Sequence, residues 1–382
     1  MKERKKIIRA CTAAKSLYLI EEVLPKLKQQ YDVLLLSSPG PGLNATCAKY
    51  GMKGFAINME RHISIFKDFM SLLRLIKLFR KEKPQMVHSI TPKAGLLCMT
   101  AAWLARVPVR IHTFTGLIWP TATGMIRSIL MATDKLTCTF ATHVIPEGEG
   151  VKNDLLTYGI TKKPLEVLGY GNVKGVNLKR FSCRPEVMEI VERMKKASQK
   201  FTFLFVGRIV GDKGINELVA AFNRLNEGLP NSRLILLGAY EDRLDPLSED
   251  TRWLIETHPN IGFVGMKKDD ELVAYYTAAD CFVHPSYREG FPNVVLEAGA
   301  MGVPCIVTDI NGSREIIKEG VNGVIIPSKD EQALYDAMLK MMTDNEARQR
   351  MANNARRMIV ERFDSNYVQQ CLLDFYEKVL ND

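Results

Sequence analysis

Short apolar runs alternate with longer segments of helical period along most of this chain. In the first half, KIIRACTA (6–13), YDVLLLSSPG (31–40), GFAINM (54–59), QMVHSI (85–90), VRIHTFTG (109–116) and THVIPEG (142–148) read as strands. Between them, YLIEEVLPKLKQQ (18–30) and SIFKDFMSLLRLIKLFRKEK (64–83) have helical character, the second stopped by Pro84. This alternation of strands with helices implies a parallel sheet covered on both faces.

The pattern breaks in GYGNVKGVNLKRFSCRPE (169–186), rich in glycine and cations, and then restarts. FTFLFVGRI (201–209), SRLILLGAY (232–240), IGFVGM (261–266), DCFVHPS (280–286), PCIVTD (304–309) and GVIIPS (323–328) are separated by helices expected at 215–226, 247–257, 269–278 and 293–301. The chain ends in an amphipathic helix, SNYVQQCLLDFYEKVL (365–380). Two doubly wound α/β domains are therefore expected, residues 1–178 and 179–362, followed by a terminal segment 363–382. Two such domains are expected to leave a cleft between the carboxyl ends of their strands, where this architecture takes its ligands. A length of 382 residues fits two domains better than one core.

Charge sharpens the picture. Lys and Arg number 52 against 43 Asp and Glu, a net charge of +9 that favours an anionic partner. Nucleic acid is one such partner, but no recognised nucleic-acid-binding motif and no basic stripe interleaved with aromatics is present. The eight cysteines include no C-x-x-C pair, so zinc knuckles and redox pairs are not indicated, and reduced thiols of a cytosolic protein are expected. The basic start, MKERKKIIRACTAAKSLYLI, is broken by Arg9 and Lys15 and reads as a lead-in to a strand, not a signal peptide. No apolar run approaches the roughly 18 residues a membrane-spanning helix needs.

Two loops carry candidate chemistry. In FVHPSYREGFPNVVLEAGA (282–300), Glu289 follows a strand, Pro292 suits a helix start, and Glu297 lies about one turn inside the helix. Free N–H groups at that start suit an anion such as phosphate. Read without further context, the two acids are equally a cap and a solvated helix side chain. In FLFVGRIVGDKGINELVAAF (203–222), Gly207 and Arg208 follow a strand, and Gly211, Lys213 and Gly214 precede a helix. Two cations at a glycine turn suit a diphosphate. The loop is not a Walker loop, and GYGNVKG misses the dinucleotide fingerprint.

Together, GRIVGDKG and EGFPNVVLEAGAMGVPCIVTDINGSREII resemble the retaining, nucleotide-sugar-dependent glycosyltransferases of family four, whose E-x7-E motif matches Glu289 and Glu297. The resemblance spans nearly the whole chain and is strongest in the carboxyl half. It implies a GT-B fold, with the last helix returning to the first domain. It implies that Arg208 and Lys213, after Gly207, bind the donor diphosphate, that Glu289 lies by the donor sugar, and that Glu297 holds the ribose. Backbone amides of Gly290, Phe291 and Asn293 would meet phosphate and sugar oxygens, and Val264, in FVG, would meet the base. NGSREII (311–317) stands where the family carries G-G-x-x-E. His112 matches a histidine that contacts the donor sugar in similar enzymes. HSITPKAGLL (88–97) resembles a subgroup acting on lipid-diphosphate-linked sugars, which implies Lys93 near the acceptor phosphate and Thr115 and Trp119 lining the acceptor site. The family's glycine-rich first loop is replaced by TAAKSL.

With no D-x-D in the chain, no metal and no cofactor are expected; the fixed cations stand in for an ion. The expected partners are a nucleotide sugar, with UDP sugars commonest in such a subgroup, and a lipid-linked saccharide. The expected place is the inner face of the cell membrane, contacted peripherally. On a helical wheel Ile65, Phe69, Leu72, Leu73, Ile76 and Phe79 share one face, opposite Lys67, Arg74, Lys77 and Lys81. This helix is either packed with a solvated basic face or in contact with anionic lipid. A nucleotide-sugar epimerase of the same fold is the enzyme alternative, and a basic nucleic-acid-binding protein the non-enzyme one.

Overall fold

A computed structural model describes residues 4–60, 64–241 and 245–381; the first three residues of the basic lead-in lie outside it. The chain forms two units, Met1–Lys174 with Ser365–Asp382, and Gly175–Asp364. The crossings therefore fall at 174/175 and 364/365, a few residues from the expected 178/179 and 362/363. Composition marks the linker, but only packing assigns its residues: Val176 N–H donates to Phe363 O at 2.8 Å, tying both to the second unit.

The first unit holds strands β1 Lys6–Ala10, β2 Asp32–Ser37, β3 Lys53–Ala56, β4 Met86–Ser89, β5 Val109–Phe114 and β6 His143–Pro146. They form one parallel sheet in the order β3-β2-β1-β4-β5-β6. Alternation of side chains along each strand splits its apolar residues between two cores. Ile8, Leu34, Leu36 and Val87 face the helices Ile65–Glu82 and Pro92–Leu104. Ile7, Leu35, Met86 and Ile111 face Leu373, Phe375, Tyr376 and Val379 of the Ser365–Asn381 helix. The terminal helix thus packs back on the amino-terminal sheet.

Its attachment is also polar. Buried Arg9 donates through Nη1 to Tyr376 Oη at 2.7 Å, and the same oxygen lies 2.6 Å from His88 Nδ1. His88 Nε2 is 2.7 Å from Thr113 Oγ1. Burial, reinforced by Arg9, pushes the His88 imidazole well below its ordinary range.

The second unit repeats the plan with β7 Phe201–Val206, β8 Ser232–Leu237, β9 Ile261–Gly265, β10 Cys281–His284, β11 Cys305–Thr308 and β12 Gly323–Ile326. Its order is β12-β11-β10-β7-β8-β9, again parallel. Counted from the first strand of each unit, both sheets have the order 3-2-1-4-5-6. Phe203, Phe205, Leu234 and Leu236 face one helical layer, and Leu204, Val206, Leu237 and Phe282 the other. In this order the sheet reverses direction between its first and fourth strands. The loops leaving those two strands diverge and open a crevice at their carboxyl ends. In the second unit those strands are β7 and β10, and their loops are the two that sequence singled out.

Candidate functional site

The loops after β7 and β10 meet backbone to backbone. Gly214 has φ +69°, and a Cβ built there would stand 2.2 Å from Pro285 O. Only glycine supplies that conformation and that closeness. The turn delivers Lys213 into the 286–289 loop, where its ammonium pairs with Glu289 Oε1 and lies 3.4 Å from Ser286 Oγ. His284 Nε2 is 3.3 Å from the same carboxylate oxygen. Burial pushes the Glu289 carboxyl up, but Lys213 and His284 together outweigh it and hold the group well below the usual carboxylate range.

Arg208, half-buried, reaches Glu241 Oε2 at 3.2 Å and Asp212 Oδ1 at 3.6 Å. Arg288 Nη2 approaches the other Asp212 oxygen at 3.3 Å. Asp212 therefore sits between two guanidinium groups. Lys213 and Arg208 leave the same loop but pair with different acids, Lys213 toward β10 and Arg208 toward the end of β8.

The Asn293–Ala300 helix begins just beyond this loop, with Pro292 at its N-cap position. Val295 N–H donates to Pro292 O at 3.1 Å, and the N–H groups of a helix start point outward along its axis. Gly312, φ +75°, presses on this turn: a Cβ there would meet Gly290 O at 2.3 Å and Phe291 Cα at 2.7 Å. The glycine of NGSREII thus braces the Gly290–Phe291 backbone. The Phe291 side chain is buried against Phe363, ring centroids 5.4 Å apart, which leaves only its backbone for a ligand. Asn293 is half-buried at the helix start. Glu297, also half-buried, accepts from Tyr276 Oη at 3.0 Å, and Tyr276 is itself fully buried. Val264 is half-buried near the end of edge strand β9.

In the first unit the corresponding reversal lies between β1 and β4. Thr12 N–H donates to Thr91 Oγ1 at 2.7 Å, and Thr12 Oγ1 accepts from Ala94 N–H at 3.0 Å, so the two loops are tied together. His112 lies inside β5 rather than at its end, and is only 1% exposed. Its Nδ1 is 2.8 Å from Ser89 Oγ on β4. Its ring covers Gly95, where a Cβ would stand 2.5 Å from Cε1. Burial lowers its pKa from 6.5 to about 3, with Ser89 acting in the opposite direction.

One expectation for this unit needs correction. Trp119 is buried in the core, its indole N–H donating to Asp134 Oδ2 at 3.0 Å, so it lines no acceptor surface here. Burial outweighs that bond and raises Asp134 to about 7. Lys93 is largely buried and pairs with Asp68 Oδ2 at 2.6 Å, which joins the starts of the 65–82 and 92–104 helices. On the Ile65–Glu82 helix the buried positions are Ser71, Leu75, Leu78 and Phe79. Ile65, Phe66, Phe69, Met70 and Leu73 are exposed, so the apolar stripe is wider than the face that packs. Thr115 is half-buried with its hydroxyl donating to Ile90 O at 3.2 Å.

The buried histidines make acid stability testable. The folded His112 pKa lies below its unfolded value. Below about pH 6.5 the unfolded chain takes up a proton that the native ring refuses, so stability falls as pH drops from about 6.5 toward 3. His88 acts in the same direction. Asp134, raised by burial, takes up a proton in the folded state first and opposes the histidines as pH falls below 7, so the histidine effect is read in Asp134→Asn, whose urea midpoint is expected to be lower at pH 5 than at pH 7. An unchanged midpoint in that variant would contradict the buried, neutral assignment.

Among the described residues no group of three or more His, Cys, Asp or Glu is placed to hold a metal ion. None of their helices is long and apolar enough to cross a membrane.

Two parallel sheets of this order, with a cation loop and an acid loop meeting at the reversal of the second, define a glycosyltransferase of GT-B fold. The chain belongs to the family-four glycosyltransferases: residues 187–358 match the family described as glycosyl transferases group 1, and residues 20–171 the glycosyl transferase 4-like domain. It is 32% identical over 383 residues to the capsular polysaccharide biosynthesis glycosyltransferase CapM of Staphylococcus aureus, covering all of this chain and 99% of that protein. It is 28% identical to the UDP-Gal:alpha-D-GlcNAc-diphosphoundecaprenol alpha-1,3-galactosyltransferase of Escherichia coli, over 90% of this chain and 87% of that one. Among solved structures, HepE of Anabaena, in complex with UDP and glucose, superposes with a TM-score of 0.82 at 16% identity, covering 98% of this chain and all of that one. That likeness concerns the fold.

Two contributors escape a reading by sequence. His284 ends a strand, a signal that DCFVHPS carries in the sequence. Tyr276 lies 21 residues before Glu297, and only the packing of the 269–278 helix brings them together.

Proposed function

We propose that this enzyme is a retaining transferase that moves a hexosyl or N-acetylhexosaminyl group from a UDP sugar to a polyprenyl-diphosphate-linked saccharide, in assembly of a surface polysaccharide or glycan. The observation that carries the donor half is the Lys213–Glu289 pair at the strand reversal of the second sheet, beside Arg208 and the start of the 293–300 helix. The acceptor half is supported by the activity for which the Escherichia coli relative is named, which uses a diphosphoundecaprenol-linked sugar.

In this reading the bond from the anomeric carbon to the diphosphate breaks, and the acceptor oxygen bonds to the same face of the sugar. The acceptor's hydroxyl proton passes to the departing phosphate oxygen, and UDP leaves. Negative charge grows on that phosphate and positive charge on the sugar ring. Lys213, Arg208 and helix N–H groups act on the first, and Glu289 on the second; groups that gain strength as charge develops lower the barrier. Glu297, held by Tyr276, is assigned to the ribose. His112 at the donor sugar rests on the family resemblance. A panel of nucleotide sugars against polyprenyl-diphosphate-linked saccharides tests the reading, with Glu289→Ala and Lys213→Ala as controls. Wild-type turnover by those two variants on the substrate found would sink the site assignment.

A lipid-linked acceptor places the enzyme at the inner membrane face. Support comes from the 65–82 helix, where Ile65 is 84% and Phe66 76% exposed beside Lys67, Arg74 and Lys77, and from exposed Met125 and Ile126 on the 124–140 helix. Apolar insertion with flanking cations favours anionic lipid, each cation adding about 1 kcal/mol. The protein is expected to float with vesicles containing anionic lipid and not with purely zwitterionic ones. Phe66→Ser with Phe69→Ser should abolish flotation; flotation unchanged by that pair would remove this helix from the contact.

A further inference from the structure

His284 ends β10 with its imidazole 2% exposed. The ring lies nearly parallel to those of Phe205 and Phe282, at 7° and 14°, with both centroids 6.2 Å away. Held there by packing, it makes one polar contact, from Nε2 to Glu289 Oε1 at 3.3 Å. Its other nitrogen, Nδ1, is buried without a hydrogen-bond partner. That asymmetry fixes the donor: Nε2–H of His284 donates to Glu289 Oε1, the one polar group its ring meets.

We infer that His284 is a positioning residue: it keeps Glu289 aimed and ionised while Lys213 carries its charge from Glu289 to the diphosphate of the bound donor. This rests on the donor site proposed above. Without donor, Lys213 serves Glu289. A diphosphate carries more negative charge than one carboxylate and competes for the same ammonium. As Lys213 turns to it, Glu289 loses its principal counter-charge in a partly buried position, where an unpaired carboxylate tends to take up a proton. The other charged groups nearby are engaged elsewhere: Asp212 with Arg208 and Arg288, and Glu217 with Tyr287. What stays on Glu289 is the His284 N–H. A ring wedged beside two phenyl groups cannot follow Lys213, so the carboxylate keeps its direction through the exchange.

The test compares His284→Gln, which retains an N–H donor at similar reach, with His284→Phe, which retains the flat ring and loses the donor. UDP binding is measured by calorimetry at pH 6 in buffers of different ionisation enthalpy, which counts protons taken up. Transfer is measured on the donor and acceptor found in the panel. Wild type and His284→Gln are expected to bind UDP with little proton uptake; His284→Phe is expected to take up a proton in a substantial fraction of molecules. The kcat of His284→Phe should fall about tenfold or more, with donor KM little changed and His284→Gln recovering most of the loss. In a Glu289→Gln background, His284→Phe should cost nothing further. A persisting loss there, or equal losses in the Gln and Phe variants, would show that the ring merely fills space and would overturn the inference. Wild-type kcat and proton uptake in folded His284→Phe would do the same. If His284→Phe does not fold, His284→Asn, whose amide falls short of Glu289, replaces it under the same criteria. Absence of UDP binding by the wild type overturns the donor reading itself, whereas loss in Glu289→Gln without loss in His284→Phe overturns only this inference.

Discussion

Lys213→Ala is expected to lower kcat/KM by about 10²- to 10³-fold, with both kcat and donor KM affected. The size follows from two losses. The ammonium is the cation whose pairing and turn geometry aim it most directly at the β10 loop, and removing one preorganised group that stabilises developing charge typically costs that much. The substitution also strands Glu289 in a partly buried position, and leaving one member of such a pair behind is costly in itself. Its carboxyl pKa should rise, because Lys213 is the main influence holding it down. The variant should therefore gain an acid limb in its pH–rate profile that the wild type lacks. Steady-state kinetics with donor and acceptor varied separately checks this. A loss under about threefold would mean that Lys213 does not face the leaving group.

Glu289→Gln is the second large expectation. The amide has the shape of the carboxylate without its charge, so the fold should survive while kcat falls about 10²-fold or more. Donor KM should change far less, because the charge is asked to act on the sugar only as its ring becomes positive. Proton linkage has a definite sign. The Glu289 pKa is held below the ordinary carboxylate value, so the group stays ionised as pH falls through the range where carboxyls usually titrate. Its pairing contributes stability in full above that range, lost progressively as the pH falls from there to the lowered folded value. Stopped assays with separated products, at several pH values, measure the rate loss. Retention of wild-type kcat by Glu289→Gln would remove it from the chemistry.

The fold was legible because short apolar strands such as FLFV and LILL alternate with helical segments, and because glycine or proline follows many of them. The order of the strands was not legible; periodicity says which residues pair with a sheet, not which strand is the neighbour. The carboxyl-half site was legible as spacing: Lys213 before Gly214, and Glu289 before Pro292, each need a turn at the end of a strand. What those turns do was not. Gly214 and Gly312 matter because backbone from another loop passes within contact of them, and no local pattern reports a neighbour 70 residues away.

The amino half read less well for the same reason. Trp119 and Lys93 are residue types that suit a sugar and a phosphate, yet Asp134 and Asp68 engage them from other helices. His112 lies inside β5, which continues to Phe114, and the bare Gly95 surface lets the 92–104 helix close over the ring. On the 65–82 helix, a wheel shows every apolar residue and cannot tell which of them the sheet covers. Its first two turns stand clear of the core, and Ser71 rather than Leu73 faces inward.

UDP calorimetry in the presence of EDTA, on the wild type and on Lys213→Ala, bears most directly on fixed side-chain charge as the element that grips the donor's diphosphate. Binding by the wild type should be unaffected by the chelator, and Lys213→Ala should bind about 30-fold or more weakly, as expected for one lost charge-assisted contact. Binding that disappears with EDTA and returns with magnesium, or equal affinity in the two proteins, would contradict it.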